Sequence, residues 1–98
     1  MSASVRVRLF FGEEGLRAFP ALFAEHRRAA SAFAGFISLR HCRLDAAGGN
    51  NEVELTLEFE SEALLKQWRS SPEHAQVAAG YRRYWTREPE VVLFAAPS

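Results

Sequence analysis

Three histidines, two tryptophans and two tyrosines are the side chains of this sequence best suited to act on an apolar molecule, and their spacing gathers most of them. His74 falls in the first turn of a helix expected to start at Pro72, and its stripe continues through Ala78, Tyr81 and Trp85 at steps of four, three and four. His26 extends the apolar stripe of an earlier helix, three residues after Phe23, and His41 alternates with Ile37 and Leu39 on the inward face of a strand. Trp68 ends a short helix just before the break at Ser70-Ser71-Pro72. If the helices cover one face of a sheet, His26, His41, His74, Trp68 and Tyr81 converge on a cleft between the two layers. A mostly apolar cleft with a few polar groups suits a small aromatic or quinone-like ligand, and an imidazole there can accept a proton near neutral pH. The plainer reading of the same residues is packing, because a histidine on an apolar face is usually a satisfied core residue and aromatic rings bury large areas wherever helices meet a sheet.

Other chemistries lack their residues. No His, Asp or Glu pair has convincing metal-ligand spacing, and Glu73 and His74, being adjacent, diverge on a helix. Gly12-Glu13-Glu14-Gly15 lacks the lysine and the glycine spacing of a phosphate loop. No nucleophile elbow supports a Ser-His-Asp triad. Cys42, the single cysteine, leaves no intramolecular disulfide and reads as a small apolar strand residue.

The elements that must position these groups are legible as periodicities. Ser4 to Phe11 alternates, with Val5, Val7 and Leu9 on one side and Arg6, Arg8 and Phe10 on the other, as a half-buried strand does. The Gly12–Gly15 segment breaks it, and Phe19, Leu22, Phe23, Ala30 and Phe33 then recur at helical spacing, with Pro20 expected in the first turn and Gly35 ending the helix. A second strand covers Phe36 to Leu44, with Ser38, Arg40 and Cys42 on its outer side. The turn formers Asp45 to Asn51 close a hairpin onto Glu52 to Glu60, where Val53, Leu55, Leu57 and Phe59 point inward. Ser61 caps a first short helix and Ser71, with Pro72 behind it, caps a second. After Glu88-Pro89, the run Glu90 to Ala96 is too short for a stable helix and reads as a last strand.

The order β-α-β-β-α-β is that of an α+β, ferredoxin-like sandwich in one domain over residues 1–98, with spatial strand order 4-1-3-2. Its outer sheet face then carries Arg6, Arg8, Arg40, Glu54, Glu58 and Thr56, either as a solvated surface with weak cross-strand pairs or as a contact surface.

The stretch FESEALLKQWRSSPEH, Phe59 to His74, joins a strand end to a broken helix through Ser61, Trp68 and Ser71-Pro72-Glu73-His74. It resembles the antibiotic-biosynthesis-monooxygenase-like family of dimeric α/β-barrel proteins. The resemblance implies a homodimer through the charged sheet face, no cofactor, and cofactor-independent oxygenation of a small aromatic or quinol substrate. There the deprotonated substrate itself passes an electron to dioxygen, while the protein binds it, stabilises its anion and keeps it dry. His74 or His41 would be the base, and His74, three residues into its helix, is expected to be held neutral by the helix dipole. Trp68 would supply a wall and one indole hydrogen bond, Tyr81 a bond to a substrate oxygen, and His26, Phe23 and Trp85 the rest of the pocket. The haem-degrading relatives use an asparagine on the first strand and a histidine about three turns after the tryptophan. Here the first strand has no asparagine and Ala78 stands ten residues past Trp68, so haem degradation is not expected. Anthrone oxygenases carry an asparagine and a tryptophan on the third strand, where this chain has Leu55 and Phe59. The competing class is a non-catalytic dimeric small-molecule-binding module.

At 98 residues, 48% hydrophobic and 24% charged, the chain can build one core and would gain from a partner that buries more surface. Twelve basic and twelve acidic residues cancel, so no nucleic-acid footprint appears; the arginine-rich, alanine-rich bias suits a GC-rich bacterial genome. No run reaches the roughly 18 to 20 apolar residues of a membrane span and the N-terminus lacks a signal-peptide pattern, so a cytoplasmic protein without a membrane partner is expected.

Overall fold

A computed structural model describes residues 2–46 and 50–95. The elements follow as β1 (Ala3–Phe11), α1 (Glu13–Ser31), β2 (Phe36–Ala46), β3 (Asn50–Phe59), α2 (Glu62–Arg69), α3 (Pro72–Arg82) and β4 (Trp85–Ala95). The four strands form one antiparallel sheet in the order β2-β3-β1-β4, the expected order read from its other edge. Alternation dictates which face is dry: Val5 pairs with Leu57 and Leu9 with Val53, and all four are buried. The offset residues Arg6 and Arg8 pair with Thr56 and Glu54 on the opposite face.

The helical pair forms as its caps dictate. Ser61 Oγ accepts from the Leu64 amide at 3.2 Å, and Ser71 Oγ accepts from the His74 amide at 3.1 Å. Each bond satisfies an amide that the first helical turn leaves unpaired, typically worth about 1 kcal/mol. The break between α2 and α3 therefore has a local cause. It lets Trp68, the residue before last in α2, turn fully inward at 0% exposure.

Several boundaries differ from expectation. α1 begins at Glu13, so Pro20 stands in the helix interior rather than its first turn. Extended Gly12 and the acidic pair Glu13 and Glu14 set the start, since carboxylates favour the positive end of a helix. Gly15 does not break the chain; it lets α1 approach β1, because a Cβ there would come within 2.8 Å of the Phe11 ring. α1 ends at Ser31, and Gly35 serves instead as the left-handed residue (φ 86°) that turns the chain into β2, packed against Leu64.

β2 carries an irregularity between Phe36 and Ser38. Phe36 pairs with Phe59, and Ile37, expected inward with Leu39, is the extra residue at 46% exposure. Asp45, Ala46, Asn50 and Asn51, expected in the turn, are strand residues, with Ala46 opposite Asn50; the remaining turn residues 47–49 lie outside the described residues. β4 starts at Trp85, five residues earlier than the run from Glu90 suggested. Pro89 sits where the pairing with β1 shifts, between Arg8↔Glu90 and Phe10↔Arg87, a position that tolerates its missing amide.

Candidate functional site

The helix-facing side of the sheet divides into two packed regions. Towards one end, Phe11, Phe19 and Tyr81 form an aromatic cluster with Phe23 and Trp85 against it. Towards the other, Trp68 packs with Phe59, Leu57 and Leu65, with Phe33 and Phe36 around them. Between sheet and helices lies a cavity of about 200 Å³. Val5, Val7 and Leu9 of β1 and Leu55 and Leu57 of β3 floor it; His26, Trp68, His74, Ala78 and Tyr81 of the three helices face them; Trp85, Pro89 and Val91 of β4 close one side.

Polar side chains here are few and coupled. His26 Nδ1 lies 2.9 Å from the Tyr81 hydroxyl, across the α1–α3 contact, and the bond is buried. The His26 ring stacks on Trp68 with centroids 5.9 Å apart and 19° between planes, and His74 meets the same indole edge-on at 5.4 Å. Burial, with repulsion from His74 as the second cause, lowers the His26 pKa to about 4. Burial also lowers the His74 pKa, with the Arg69 charge as the second cause, and burial raises that of Tyr81. All three are therefore uncharged at neutral pH. The expected neutral state of His74 has desolvation as its leading cause.

The cavity brings together five of the residues singled out from the sequence: His26, Trp68, His74, Tyr81 and Trp85. It does not bring in His41 or Phe23. His41 sits on β2, exposed at its rim, and is boxed by rings: Phe23 meets it at 4.5 Å and Phe19 at 5.2 Å, both edge-on. Trp85 arrives from β4 rather than from the α3 stripe, which stops at Arg82. The Trp68 and Trp85 indole nitrogens are buried without a hydrogen-bond partner among the described residues. Both residues stand in the lining of the cavity, where Trp68 offers a wall and a stacking surface. Sequence reasoning missed Arg69, Pro89 and Val91 in the lining. Arg69 follows Trp68 in the last turn of α2, where a basic residue reads as a helix-end charge.

Among the described residues no group of three or more His, Cys, Asp or Glu side chains could hold a metal ion, and no helix is long and apolar enough to cross a membrane.

An α+β ferredoxin-like sandwich with an apolar cavity between its sheet and a broken helix defines the class of protein. The sequence profile of the antibiotic biosynthesis monooxygenase family matches residues 3–80, and the chain belongs to that family. Solved structures share the whole fold at low identity. Rv0793 from Mycobacterium tuberculosis is 22% identical with a TM-score of 0.81, over 100% of this chain and 97% of that one. SnoaB, a cofactor-independent oxygenase from Streptomyces nogalater, is 18% identical with a TM-score of 0.77, over 99% and 94%. A dimeric ferredoxin-like protein of unknown function from Jannaschia sp. CCS1 is 16% identical with a TM-score of 0.79, over 98% and 100%. A search of curated protein sequences returned no match.

Proposed function

We propose that this protein is a cofactor-independent monooxygenase for a small phenolic or quinol substrate, with His74 as its base. The observation that carries the reading is the apolar cavity walled by His26, Trp68, His74 and Tyr81, in which His74 is half-buried and its pKa lowered. Family membership and the cofactor-independent oxygenase among the structural relatives support it. His26 and Tyr81 already satisfy each other, which leaves His74 as the titratable group of the lining free to take a proton from a ligand.

The chemistry balances without a bound cofactor. His74 takes the phenolic proton. The phenolate passes one electron to dioxygen, the resulting radical pair combines to form a C–O bond para to the oxygen, and the peroxide anion takes the proton back from the His74 imidazolium. Loss of water from that hydroperoxide leaves a quinone carbonyl, so one oxygen atom enters the product and the other departs as water. Burial makes charge separation costly for a lone imidazolium, but the phenolate formed beside it offsets that cost, and the apolar walls keep bulk water from the hydroperoxide.

The test uses 1,5-dihydroxynaphthalene and isotopically labelled dioxygen. One labelled oxygen in the hydroxynaphthoquinone product, formed by protein whose absorbance from 300 to 700 nm shows no flavin or haem, is the expected result. Product formed at the uncatalysed rate while the compound still binds would favour the second reading, a ligand-binding module without catalysis. The His26–Tyr81 pairing is the observation that favours that alternative, since it spends two polar groups on each other.

The working unit in this proposal is a homodimer through the outer sheet face. Glu54 there accepts a hydrogen bond from Arg8 at 3.4 Å and pairs ionically with Arg6 at 3.5 Å, and Arg6 also lies over the Phe94 ring at 5.0 Å. Val92 and Phe94 pair with Arg6 and Ser4 of β1 and so share that face, at 49% and 43% exposure. Large apolar side chains on an edge strand need a cover. A charged patch with an apolar margin fits a second copy: burial of the margin drives association, and the charges set register.

A further inference from the structure

Among the described residues, Arg69 is the one formally charged side chain in the lining of a mostly apolar cavity. It stands in the last turn of α2, partly exposed, and also borders the open groove formed with Ala3, Leu65, Leu93 and Phe94. That double position puts it at the mouth, where the cavity meets the groove. No carboxylate lies within ion-pair distance of it among the described residues. Glu62, on the groove border with Lys66, is two helical turns away along α2 and makes no such pair. Among the described residues the cavity lining contains no Asp or Glu, and its other titratable groups, His26, His74 and Tyr81, are uncharged at neutral pH.

We propose that Arg69 is a specificity-determining residue that selects substrates bearing an anionic group, so that the natural ligand is an aromatic acid whose ring enters the cavity and whose carboxylate stays at the mouth. This rests on the cavity being a ligand site, as argued above, but not on catalysis. The physical reason is an asymmetry of charge and of water. A ring gains by leaving water for Leu57, Val7 and Trp68, whereas a carboxylate gains only where a donor replaces its hydration. Arg69 offers a planar fork of N–H groups at the boundary between the two, so the acid keeps part of its solvent shell while its ring is buried. A neutral ligand of the same shape gains the first contribution and not the second.

The experiment compares 2-naphthoate with its neutral isostere 2-naphthamide, by calorimetry on the full chain at low salt. Wild type should bind the acid about tenfold more tightly than the amide, equivalent to about 1.4 kcal/mol, with the advantage shrinking as salt is raised. Arg69→Gln should remove that preference and leave amide affinity unchanged, and Arg69→Lys should restore most of it. A merely structural role for Arg69 would weaken both ligands together. Equal binding of acid and amide by wild type, or a preference that survives Arg69→Gln, overturns the proposal while the cavity stands. Failure of both compounds to bind takes away the cavity as an aromatic site, and the proposal with it.

Discussion

His41 and His74 are both histidines placed against the covered face of the same sheet, and they meet opposite surroundings. Around His41, Phe19 and Phe23 crowd to centroid distances of 5.2 and 4.5 Å, and the imidazole fills a gap at the exposed rim. Around His74, a single indole edge, the His26–Tyr81 pair and the β4 side chains leave about 200 Å³ open. The difference comes from the helix break. Phe19 and Phe23 of α1 lie over β2 at His41, whereas the cavity lies beside the capped Ser71 turn, lined by Trp68 of α2 and by His74, Ala78 and Tyr81 of α3. A continuous helix packs rings over a sheet, and an interrupted one leaves a hollow.

The comparison breaks most sharply by mutation. His74→Ala should lower oxygenation of 1,5-dihydroxynaphthalene by roughly 10² to 10⁴ fold, the usual share of a general base. His41→Ala should stay within about twofold. Equal losses from the two variants would erase the distinction between the two ends of the molecule.

Acid should act on the same end. His26 has a pKa of about 4 in the folded chain and 6.5 as its reference, so the unfolded chain binds the extra proton between those values. Stability is therefore retained above pH 6.5 and lost as pH falls towards 4, by about 3 kcal/mol from this residue at roughly 1.4 kcal/mol per pKa unit. Urea unfolding at pH 7, 5.5 and 4.5 measures the slope. His26→Gln should flatten it.

Helix-side and outer faces can be separated in the same way. Glu54→Lys with Glu58→Lys should move the mass from near twice 11.0 kDa towards one chain in light scattering after size exclusion, while Glu13→Lys with Glu14→Lys should not. The smallest effect is expected from Tyr81→Phe, which deletes the hydroxyl bonded to His26 and leaves a buried imidazole nitrogen unpaired. A loss of about 1 to 3 kcal/mol in unfolding free energy is expected, with the ring packing against Phe11 and Phe19 kept.

The legible parts of the fold were those whose cause is local. Val53, Leu55, Leu57 and Phe59 alternate without interruption, and all four are buried. Ser61 and Ser71 announce their helices by side-chain chemistry alone, and both bonds are present. What stayed hidden depends on partners distant in sequence. Trp85 and Pro89 look like the end of a helix and a breaker, yet the pairing of Trp85 with Phe11 and of Arg87 with Phe10 carries β4 through them. Ile37 looks inward by alternation, but the irregularity beside Phe36 turns it out. Periodicity gave the faces of His26, His41 and His74 correctly; it carries no information on position along the sandwich, which separated His41 from the other two. Arg69 was invisible because a basic residue at a helix end has a sufficient local explanation.

The central claim is that the hollow beneath the helix break receives an aromatic ligand, and both tryptophans stand in its lining. Titration of intrinsic tryptophan fluorescence with 1-naphthol, in wild type and in Ala78→Phe, tests it directly, because Ala78 lines the cavity and a phenyl ring there would occupy it. Saturable quenching at one ligand per chain, abolished in a folded Ala78→Phe protein, is the predicted result. Absence of saturable quenching in wild type, or unchanged affinity in the filled variant, would contradict the account.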